Sequence, residues 1–205
     1  MASRKTKTES KTETFDAAYY ERYYERVRTR VASPEDTLRL ARFVAAYLVH
    51  LRVGEVRSVL DLGCGLGWWK EPSLELFHNA KYRGVEFSDH LVKKLGWEKG
   101  SVADYAGPAA DLVVCQGVLH YLDRKTAERA MENLARLTKK ALYVEALTKE
   151  DWAETVDKER TDGHMQLRVA RFYRSALNEH FEPCGGGVYV PKAKPVVLFA
   201  LERGQ

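Results

Sequence analysis

The residues of this sequence that are best suited to chemistry are a glycine-rich turn and an acidic residue that follows it. Gly63, Gly65 and Gly67 come after the mostly apolar segment 59–62 in a Gly-x-Gly-x-Gly pattern. Because glycine has no side chain, the backbone can bend tightly there and approach a ligand closely. Glu86 lies 23 residues after Gly63, at the end of the next predicted strand, where its carboxylate can accept hydrogen bonds from two ribose hydroxyls. The two features together predict a site for a ribose-containing ligand.

Two further residues are candidates for moving a proton. His120 follows the predicted fourth strand and Glu145 lies at the end of the fifth, at the edge where ligands bind in open α/β sheets. Histidine titrates near neutral pH, so His120 could accept a proton from an acceptor hydroxyl. The alternative is that His120 stacks on a cofactor or caps the sheet without transferring a proton. The sequence leaves both alternatives open, and Glu145 is the second candidate base.

The elements that must position these residues are short strands that alternate with helices. From Val56 onwards the pattern predicts a doubly wound α/β fold with a mostly parallel seven-stranded sheet and an antiparallel last hairpin. Strands are predicted at residues 57–60, 82–87, 97–102, 111–115, 141–147, 188–190 and 196–201. Helices are predicted at residues 68–77, 89–95, 125–138 and 164–180. The connection at 103–110 spans at most about 26 Å when fully extended. The chain needs a comparable distance to return along one strand and cross to the next, so we expect no full helix there.

Three parts of the chain differ in composition. Residues 1–14 are rich in Lys, Thr, Glu and Ser, which predicts a disordered tail. The pattern of residues 15–54 predicts an N-terminal helical lid. It consists of two helices, the second of which begins at Ser33. Residues 55–205 are the predicted core, which forms a single domain with the lid. The apolar residues that follow helical spacing in the first lid helix are Tyr20, Tyr24, Val27 and Val31.

Four motifs occur in an order and with a spacing typical of one known family. They are VLDLGCGLG from residue 59, YRGVEFSDHL from residue 82, GSVAD from residue 100 and DLVVCQGVLHYL from residue 111. Over residues 15 to 203 the sequence resembles the class I S-adenosylmethionine (SAM) dependent methyltransferases. The resemblance implies a Rossmann-like fold, SAM as cofactor and S-adenosylhomocysteine (SAH) as product.

The resemblance also implies which residues would hold the methionine part of SAM. Asp61, Gly63, Cys64 and Gly65 would line this part, and Gln116 would offer its carbonyl to the amine. SAM carries a sulfonium, an ammonium and a carboxylate but no phosphate, so the turn needs close backbone approach more than anion binding. Asp61 beside the turn would oppose a pyrophosphate, which disfavours NAD.

The nucleoside part of SAM would contact the next two motifs. By the same resemblance, Glu86 with the adjacent Phe87 would bind the ribose. The adenine edge would meet either Asp104 or the pair formed by Ser101 and Val102. Ser101 stands where the family often has an acid, which makes the adenine contacts the weakest part of the resemblance.

Aromatic residues near the predicted lid are candidates for contacting the acceptor. They are Tyr19, Tyr20, Tyr24, Trp68 and Tyr121. The alternative for the lid tyrosines is that their ring faces pack an amphipathic helix against the core. The charged segment 149–164 is a candidate for a second lid.

Composition restricts the class of protein. The formal net charge of +4 permits nucleic acid as a partner but does not favour it. No apolar run reaches the roughly 18 residues of a membrane span, so no membrane partner is expected. Cys64, Cys115 and Cys184 form no CxxC pair, which predicts a cytoplasmic location rather than a disulfide framework. The histidines lack metal-ligand spacing, so no metal is expected.

The sequence therefore predicts a SAM-dependent methyltransferase that acts on a small-molecule acceptor, because it has no recognisable nucleic-acid-binding module. One alternative is the same fold acting on tRNA, rRNA or protein. The other alternative is a non-catalytic module that binds SAM or a partner chain. The identity of the acceptor, the methylated atom and the oligomeric state stay open at this point.

Overall fold

A seven-stranded sheet lies at the centre of the protein, whose computed structural model describes residues 15–202. In chain order the strands are β1 (Ser58–Leu62), β2 (Lys81–Glu86), β3 (Glu98–Lys99), β4 (Ala110–Gln116), β5 (Thr138–Glu145), β6 (Phe181–Gly185) and β7 (Val188–Pro191). From edge to edge their order is β3-β2-β1-β4-β5-β7-β6. The first five strands pair with one another in parallel, whereas β7 pairs antiparallel with both β5 and β6. The predicted fold class is confirmed, and the predicted tail at 1–14 lies outside the described residues.

Helices cover both faces of the sheet. They are α1 (Ala17–Tyr20), α2 (Pro34–His50), α3 (Lys70–Leu76), α4 (Asp89–Leu95), α5 (Arg124–Leu137), α6 (Lys149–Glu154) and α7 (Ala170–His180). Helices α2 and α3 pack on one face of the sheet, and α5 and α7 pack on the other. A π-helix (Glu21–Glu25) continues α1, and a single 3-10 turn (Leu119–Tyr121) follows β4.

The central strand β4 is buried on both faces because its side chains alternate between the two helical layers. Leu112 and Val114 pack with α2 and α3, whereas Val113 and Cys115 pack with α5 and α7. All four side chains are fully buried. Burying an aliphatic side chain of this size contributes about 1.5–3 kcal/mol. The carboxyl end of β4 is therefore a firm base for the residues that follow it.

Two serines begin helices at the places where the sequence predicts them. At the start of α2, Ser33 Oγ accepts a hydrogen bond from Asp36 N–H at 3.2 Å, and the Asp36 carboxylate accepts one from Ser33 N–H at 3.0 Å. Pro34 occupies the first helical position, where no intrahelical hydrogen bond is lost. Ser88 caps α4 in the same way, accepting a hydrogen bond from Leu91 N–H at 3.4 Å. Both predicted starts are confirmed.

The predicted first lid helix is shorter than expected. Helical conformation ends before Arg26, whose backbone is extended. Val27 and Val31 are 74% and 42% exposed, so the predicted apolar stripe stops at Tyr24. The reason is that Val31 N–H donates to the Tyr23 carbonyl at 2.9 Å. With this hydrogen bond the chain after Arg26 turns back towards the helix instead of continuing it.

The antiparallel hairpin lies at different residues from those predicted. It consists of β6 and β7, and the predicted last strand at 196–201 is not a strand. Val196 and Leu198 pack instead against the apolar cluster that contains α2. The turn of the hairpin uses Gly186 and Gly187 at φ angles of +56° and +78°. The apolar run at 196–201 thus packs against a helix rather than extending the sheet.

Helices α3 and α7 begin two and six residues later than predicted. In α3, Pro72 occupies the first turn, where its missing N–H needs no intrahelical partner. Before α7, the chain at Arg168 is extended because its carbonyl accepts a hydrogen bond from Lys149 N–H at 2.9 Å. Residues 103–109 form turns rather than a helix, as predicted.

Gly84 provides a test of how tightly β2 packs beneath the glycine-rich turn. A Cβ atom at Gly84 would lie 2.8 Å from Cys64 Sγ and 2.9 Å from Trp97 Cε3. We expect Gly84→Ala to lower the free energy of unfolding by about 1–3 kcal/mol, because these side chains must shift. Gly163→Ala is the control, since a Cβ there meets no described atom within 4 Å; its effect should stay below about 0.5 kcal/mol. Urea unfolding measures both variants, and equal effects would contradict the packing described here.

Candidate functional site

A cavity of about 550 Å³ opens at the carboxyl ends of the central strands. It is lined by the turn after β1, the end of β2, the segment after β4 and the end of β5. Aromatic residues of the N-terminal segment and residues from 156–162 close it on the remaining sides. In open α/β sheets this edge is the place where ligands bind, and the volume lies in the range of small-molecule sites.

The turn after β1 requires glycine for two reasons. Gly63, Gly65 and Gly67 have φ angles of +77°, +53° and +77°, which side chains disfavour. A Cβ atom would also lie 2.4 Å from the Val118 side chain at Gly63, and 2.4 Å from the Trp97 side chain at Gly67. At Gly65 a Cβ would meet no described atom within 4 Å. The backbone at Gly65 is therefore open to the cavity.

Trp97 packs against the glycine-rich turn and donates a hydrogen bond to it. The sequence pattern did not indicate this role. The Trp97 indole packs against the positions of Gly67 and Gly84, and its Nε1–H donates to the Gly65 carbonyl at 3.0 Å. The one available signal is Gly84 itself, because a glycine inside a buried strand often marks the close approach of another group.

Glu86 connects the glycine-rich turn to the end of β2. Its buried carboxylate accepts three backbone hydrogen bonds. Oε2 accepts from Gly65 N–H at 2.8 Å, and Oε1 accepts from Phe87 N–H at 2.8 Å and from Ser88 N–H at 2.7 Å. A carboxylate has about four acceptor positions, so one remains for a ligand hydroxyl. Glu86 is thus fixed beside the turn, as its predicted role requires.

Asp61 is a buried acid near the end of β1. Its side chain is almost inaccessible, and Oδ2 accepts a hydrogen bond from the Tyr82 hydroxyl at 2.6 Å. Burial raises the pKa of Asp61 to about 7, although the hydrogen bond from Tyr82 acts in the opposite direction. A ligand cation beside Asp61 would favour its ionised form.

Gln116 and Glu145 form a hydrogen-bonded row where β4 and β5 end. Trp69 Nε1–H donates to Gln116 Oε1 at 2.8 Å. Gln116 Nε2–H and the Tyr143 hydroxyl donate to Glu145 Oε2 at 3.3 and 2.9 Å. Glu145 is exposed at the cavity, and its Oε1 receives no hydrogen bond from the residues between 15 and 202. Glu145 therefore has a carboxylate oxygen available to accept a proton.

His120 is buried and neutral. Leu147 N–H donates to His120 Nδ1 at 2.9 Å, so Nδ1 carries the lone pair and Nε2 carries the ring proton. Burial lowers the pKa of His120 to about 4, which outweighs the opposite effect of Asp162. Because its lone pair is already engaged, His120 is set to donate a hydrogen bond rather than accept a proton. This geometry favours the alternative in which His120 caps the sheet.

Aromatic rings form the wall of the cavity on the side of the N-terminal segment. They belong to Phe15, Tyr19, Tyr20, Tyr23, Tyr24, Trp68 and Tyr121. Asp162, from the predicted second lid, accepts hydrogen bonds from the hydroxyls of Tyr19 at 2.8 Å and Tyr121 at 2.6 Å. No sequence signal marks Asp162, because its partners lie 143 and 41 residues away and its own segment is irregular.

Most residues predicted for the cofactor, the acceptor and proton transfer line this cavity. They are Tyr19, Tyr20, Tyr24, Asp61, Gly63, Cys64, Gly65, Trp68, Glu86, Phe87, Gln116, His120, Tyr121 and Glu145.

The residues predicted for the adenine edge do not line the cavity. Ser101 Oγ accepts a hydrogen bond from Ala103 N–H at 3.2 Å, and Val102 lies in the core. Asp104 pairs with Arg129 at 3.1 Å on the surface. Their contact with adenine stays a prediction that the cavity itself does not support.

Comparison with known proteins gives one family match and several similar structures. A family model described as a methyltransferase domain matches residues 60–141. The magnesium protoporphyrin IX methyltransferase ChlM from Synechocystis PCC 6803, solved with SAH, has a TM-score of 0.61 and 16% identity over 88% of this chain and 95% of that chain. An O-methyltransferase family protein from Burkholderia thailandensis has a TM-score of 0.57 and 18% identity over 87% of this chain and 63% of that chain.

A third similar structure is a complex that contains the Haloferax volcanii Trm112 methyltransferase activator. It has a TM-score of 0.54 and 19% identity over 71% of this chain and 69% of that chain. No curated protein matches the sequence. At these identities the solved structures show the fold alone, and the family model adds the methyltransferase domain. Residues 60–141 therefore match a methyltransferase domain, and the solved structures share the fold. This match bears out the predicted methyltransferase family, and together with the structure solved with SAH it supports SAM as the cofactor.

The residues of the methyltransferase domain fit SAM chemically. Asp61 is a buried acid with a neutral hydroxyl as its partner, which suits the ammonium of SAM. Glu86 has an acceptor position left for a ribose hydroxyl, and the open backbone at Gly65 leaves room for close approach. The donor and acceptor groups around the turn therefore match a ligand that is cationic and has no phosphate.

The described residues also bear on the remaining expectations. Within residues 15–202, no group of three or more His, Cys, Asp or Glu side chains is arranged to hold a metal ion. In the same part of the chain, no helix combines the length and apolar character needed to cross a membrane. All three cysteines are buried free thiols.

The raised pKa of Asp61 leads to a prediction for the ligand-free protein. The Asp61 carboxyl should titrate near pH 7 by ¹³C NMR, with its signal identified by its loss in Asp61→Asn. The pKa of an aspartate in the unfolded chain is about 3.9. Between this pKa and that of the folded protein, the folded state therefore binds more protons than the unfolded state. The contribution of Asp61 to stability is therefore lost as pH rises from about 4 towards 7.

Removing the Tyr82 hydroxyl, which donates a hydrogen bond to Asp61, tests the cause of this pKa more sharply. Tyr82→Phe should raise the pKa of Asp61 further, because the lost hydrogen bond stabilises the ionised carboxylate. Tyr105→Phe is the control, since the Tyr105 hydroxyl donates to Glu98 instead. A titration midpoint of Asp61 near pH 4 in the wild-type protein would show that burial does not control the pKa of this carboxyl.

Proposed function

We propose that this protein is a SAM-dependent methyltransferase that transfers a methyl group to a small-molecule acceptor. The observation that carries the proposal is a single cavity that joins the glycine-rich turn and Glu86 to the exposed carboxylate of Glu145. When bound, SAM supplies a methyl group on a sulfonium for direct transfer, with SAH as the product. The protein contributes binding, orientation and the exclusion of water, which are effective for such a reaction.

Residues around the turn would hold the cofactor. The free acceptor position of Glu86 would bind a ribose hydroxyl, beside Phe87. Asp61 would face the ammonium, and Gln116, whose Oε1 is held by Trp69, would accept a hydrogen bond from the amine. Each of these polar groups is already positioned by a hydrogen bond within the protein, so little reorganisation is needed on binding.

Glu145 is the residue that we propose as the proton acceptor. Its Oε2 is held by Gln116 and Tyr143, while its Oε1 faces no partner within residues 15–202. His120 would act differently, by donating a hydrogen bond from Nε2, because its Nδ1 is engaged with Leu147. We therefore propose Glu145, of the two candidate bases from the sequence, as the proton acceptor and a positioning role for His120.

The covered cavity supports a small molecule as the acceptor. Residues 15–31 and 156–162 contribute to its walls, so an acceptor must fit between these segments and the sheet. We propose residues 15–54 as the lid over a core that begins at residue 55. A polynucleotide or a folded protein would require this aromatic wall to open, which is why we do not favour the macromolecular alternative.

Two further proposals concern the surroundings of the protein. The Haloferax volcanii complex contains an activator of a methyltransferase, so a requirement for a partner chain is the alternative to independent activity. The three buried thiols without a disulfide support a reducing compartment such as the cytoplasm.

The proposed cofactor site is tested by calorimetric titration with SAH. Glu86→Gln should weaken SAH binding by about 1–3 kcal/mol, because a charge-assisted hydrogen bond to the ribose is lost. Asp104→Asn should leave the affinity unchanged, since Asp104 pairs with Arg129 outside the cavity. Circular dichroism verifies that both variants are folded. Failure of the wild-type protein to bind SAH would refute the proposed function, and a loss in Asp104→Asn would restore the predicted adenine contact.

The role of Glu145 is tested by turnover. Glu145→Gln should slow the formation of SAH by about 10²- to 10⁴-fold, because the amide cannot accept a proton. The affinity for SAH should stay the same. The assay uses the first acceptor that the wild-type protein methylates from a panel of amines, phenols and carboxylic acids. Glu150→Gln, which changes an exposed acid outside the cavity, is the control. Full turnover by Glu145→Gln would exclude Glu145 as the base.

A further inference from the structure

Three oxygen atoms from distant parts of the chain meet at the wall of the cavity. The hydroxyls of Tyr19 and Tyr121 lie 2.8 and 2.6 Å from Asp162 Oδ2, and 3.0 Å from each other. We call these three groups the oxygen cluster. His164 N–H donates to the other carboxylate oxygen, Oδ1, at 2.8 Å. The cluster is therefore held in place from both sides of the carboxylate.

The oxygen cluster has more acceptor positions than protons. Each phenol has one proton, so two protons serve three close oxygen–oxygen contacts, and either phenol can be the donor between Tyr19 and Tyr121. A phenolic oxygen that donates its proton keeps its capacity to accept a hydrogen bond. The hydroxyls of Tyr19 and Tyr121 therefore present acceptor positions next to a carboxylate, which suits a ligand with N–H donors.

The charge of Asp162 has no counter-ion among residues 15–202. Asp162 is 3% exposed, and it takes part in none of the ion pairs found within residues 15–202. Of the two arginines that line the cavity, Arg160 pairs with Asp157 at 3.4 Å, and Arg30 forms no ion pair with Asp162. A buried carboxylate without a cation is costly, and a cationic ligand would offset that cost.

The surroundings of the cluster also favour a cation. The rings of Phe15 and Tyr121 meet edge to face at 5.1 Å, and Tyr19 is within 5.0–5.3 Å of Phe15, Tyr20 and Tyr23. These rings line the cavity, and aromatic faces attract ammonium groups through their quadrupoles. A carboxylate, two phenolic acceptors and a group of rings thus meet at one place.

We propose that the methyl acceptor is an amine and that its ammonium group binds at the oxygen cluster. The inference rests on the proposed function and names the substrate class of that site. The acids assigned to the cofactor, Asp61 and Glu86, belong to the glycine-rich turn and the end of β2, so the cluster is left for the acceptor. The bound ammonium becomes nucleophilic when one of its protons passes to the Glu145 carboxylate, which leaves a neutral amine and a carboxylic acid.

The test compares three probes of similar size and different charge. Protein saturated with SAH is titrated by calorimetry with 2-phenylethylammonium, 2-phenylethanol and 3-phenylpropionate. We expect the cation to bind about 10-fold more tightly than the other two, which is the scale of a desolvated cation–π contact joined to a charge-assisted hydrogen bond. The preference should disappear in Asp162→Asn.

Two further variants keep the test decisive. Asp157→Asn is the matched control, because Asp157 lines the same cavity but is paired with Arg160, and it should retain the preference. Tyr121→Phe keeps the ring and removes one oxygen of the cluster, so the preference should be reduced even if Asp162→Asn fails to fold.

The outcomes separate this inference from the proposed function. If SAH binds but the cation has no advantage over the alcohol and the acid, the amine inference is overturned alone, and the cluster serves only to fasten the lid. The same conclusion follows if a folded Asp162→Asn keeps the preference. If SAH itself does not bind, the proposed function falls and the amine inference falls with it.

Discussion

The arrangement of the site depends on the hydrogen bonds of one buried carboxylate. Glu86 accepts from the backbone at Gly65, Phe87 and Ser88, and so joins the turn after β1 to the start of α4. A buried carboxylate is stable only when its acceptor positions are satisfied, and here backbone N–H groups satisfy all but one. The position of the turn, the direction of α4 and the remaining acceptor position all follow from this constraint.

The same turn shows what the sequence could predict and what it could not. Its glycines and the acid on the next strand are local patterns, and both lie where they were expected. Trp97, which excludes a side chain at Gly67, was not predicted, because a contact across 30 residues leaves no local signal. Asp162 and the first strand of the hairpin, β6, were missed for a similar reason. The apolar run at 196–201 resembles a strand, and only the presence of α2 decides that it packs against a helix.

Burial explains why the two candidate bases differ, although both lie at the same edge of the sheet. His120 lies inside the domain, where the cost of a buried charge keeps the ring neutral and Leu147 N–H engages Nδ1. Glu145 is exposed at the cavity and keeps a carboxylate oxygen without a partner in the described chain. The sequence offered both residues as candidates, and the unperturbed pKa of histidine is near neutrality. The environment distinguishes them, because a base needs a free lone pair as well as a suitable pKa.

The walls of the cavity connect lid closure to the recognition of charge. Tyr19 comes from the N-terminal segment, Tyr121 follows β4, and Asp162 belongs to the segment before α7, so their hydrogen bonds form only when all three segments are in place. Closure removes water from the cavity, and electrostatic attraction is stronger where water is excluded. The groups that close the cavity are therefore also the groups whose attraction for a cation increases on closure. If these segments act as the proposed lid, the same carboxylate and phenol groups would both shield the reaction and select the proposed acceptor.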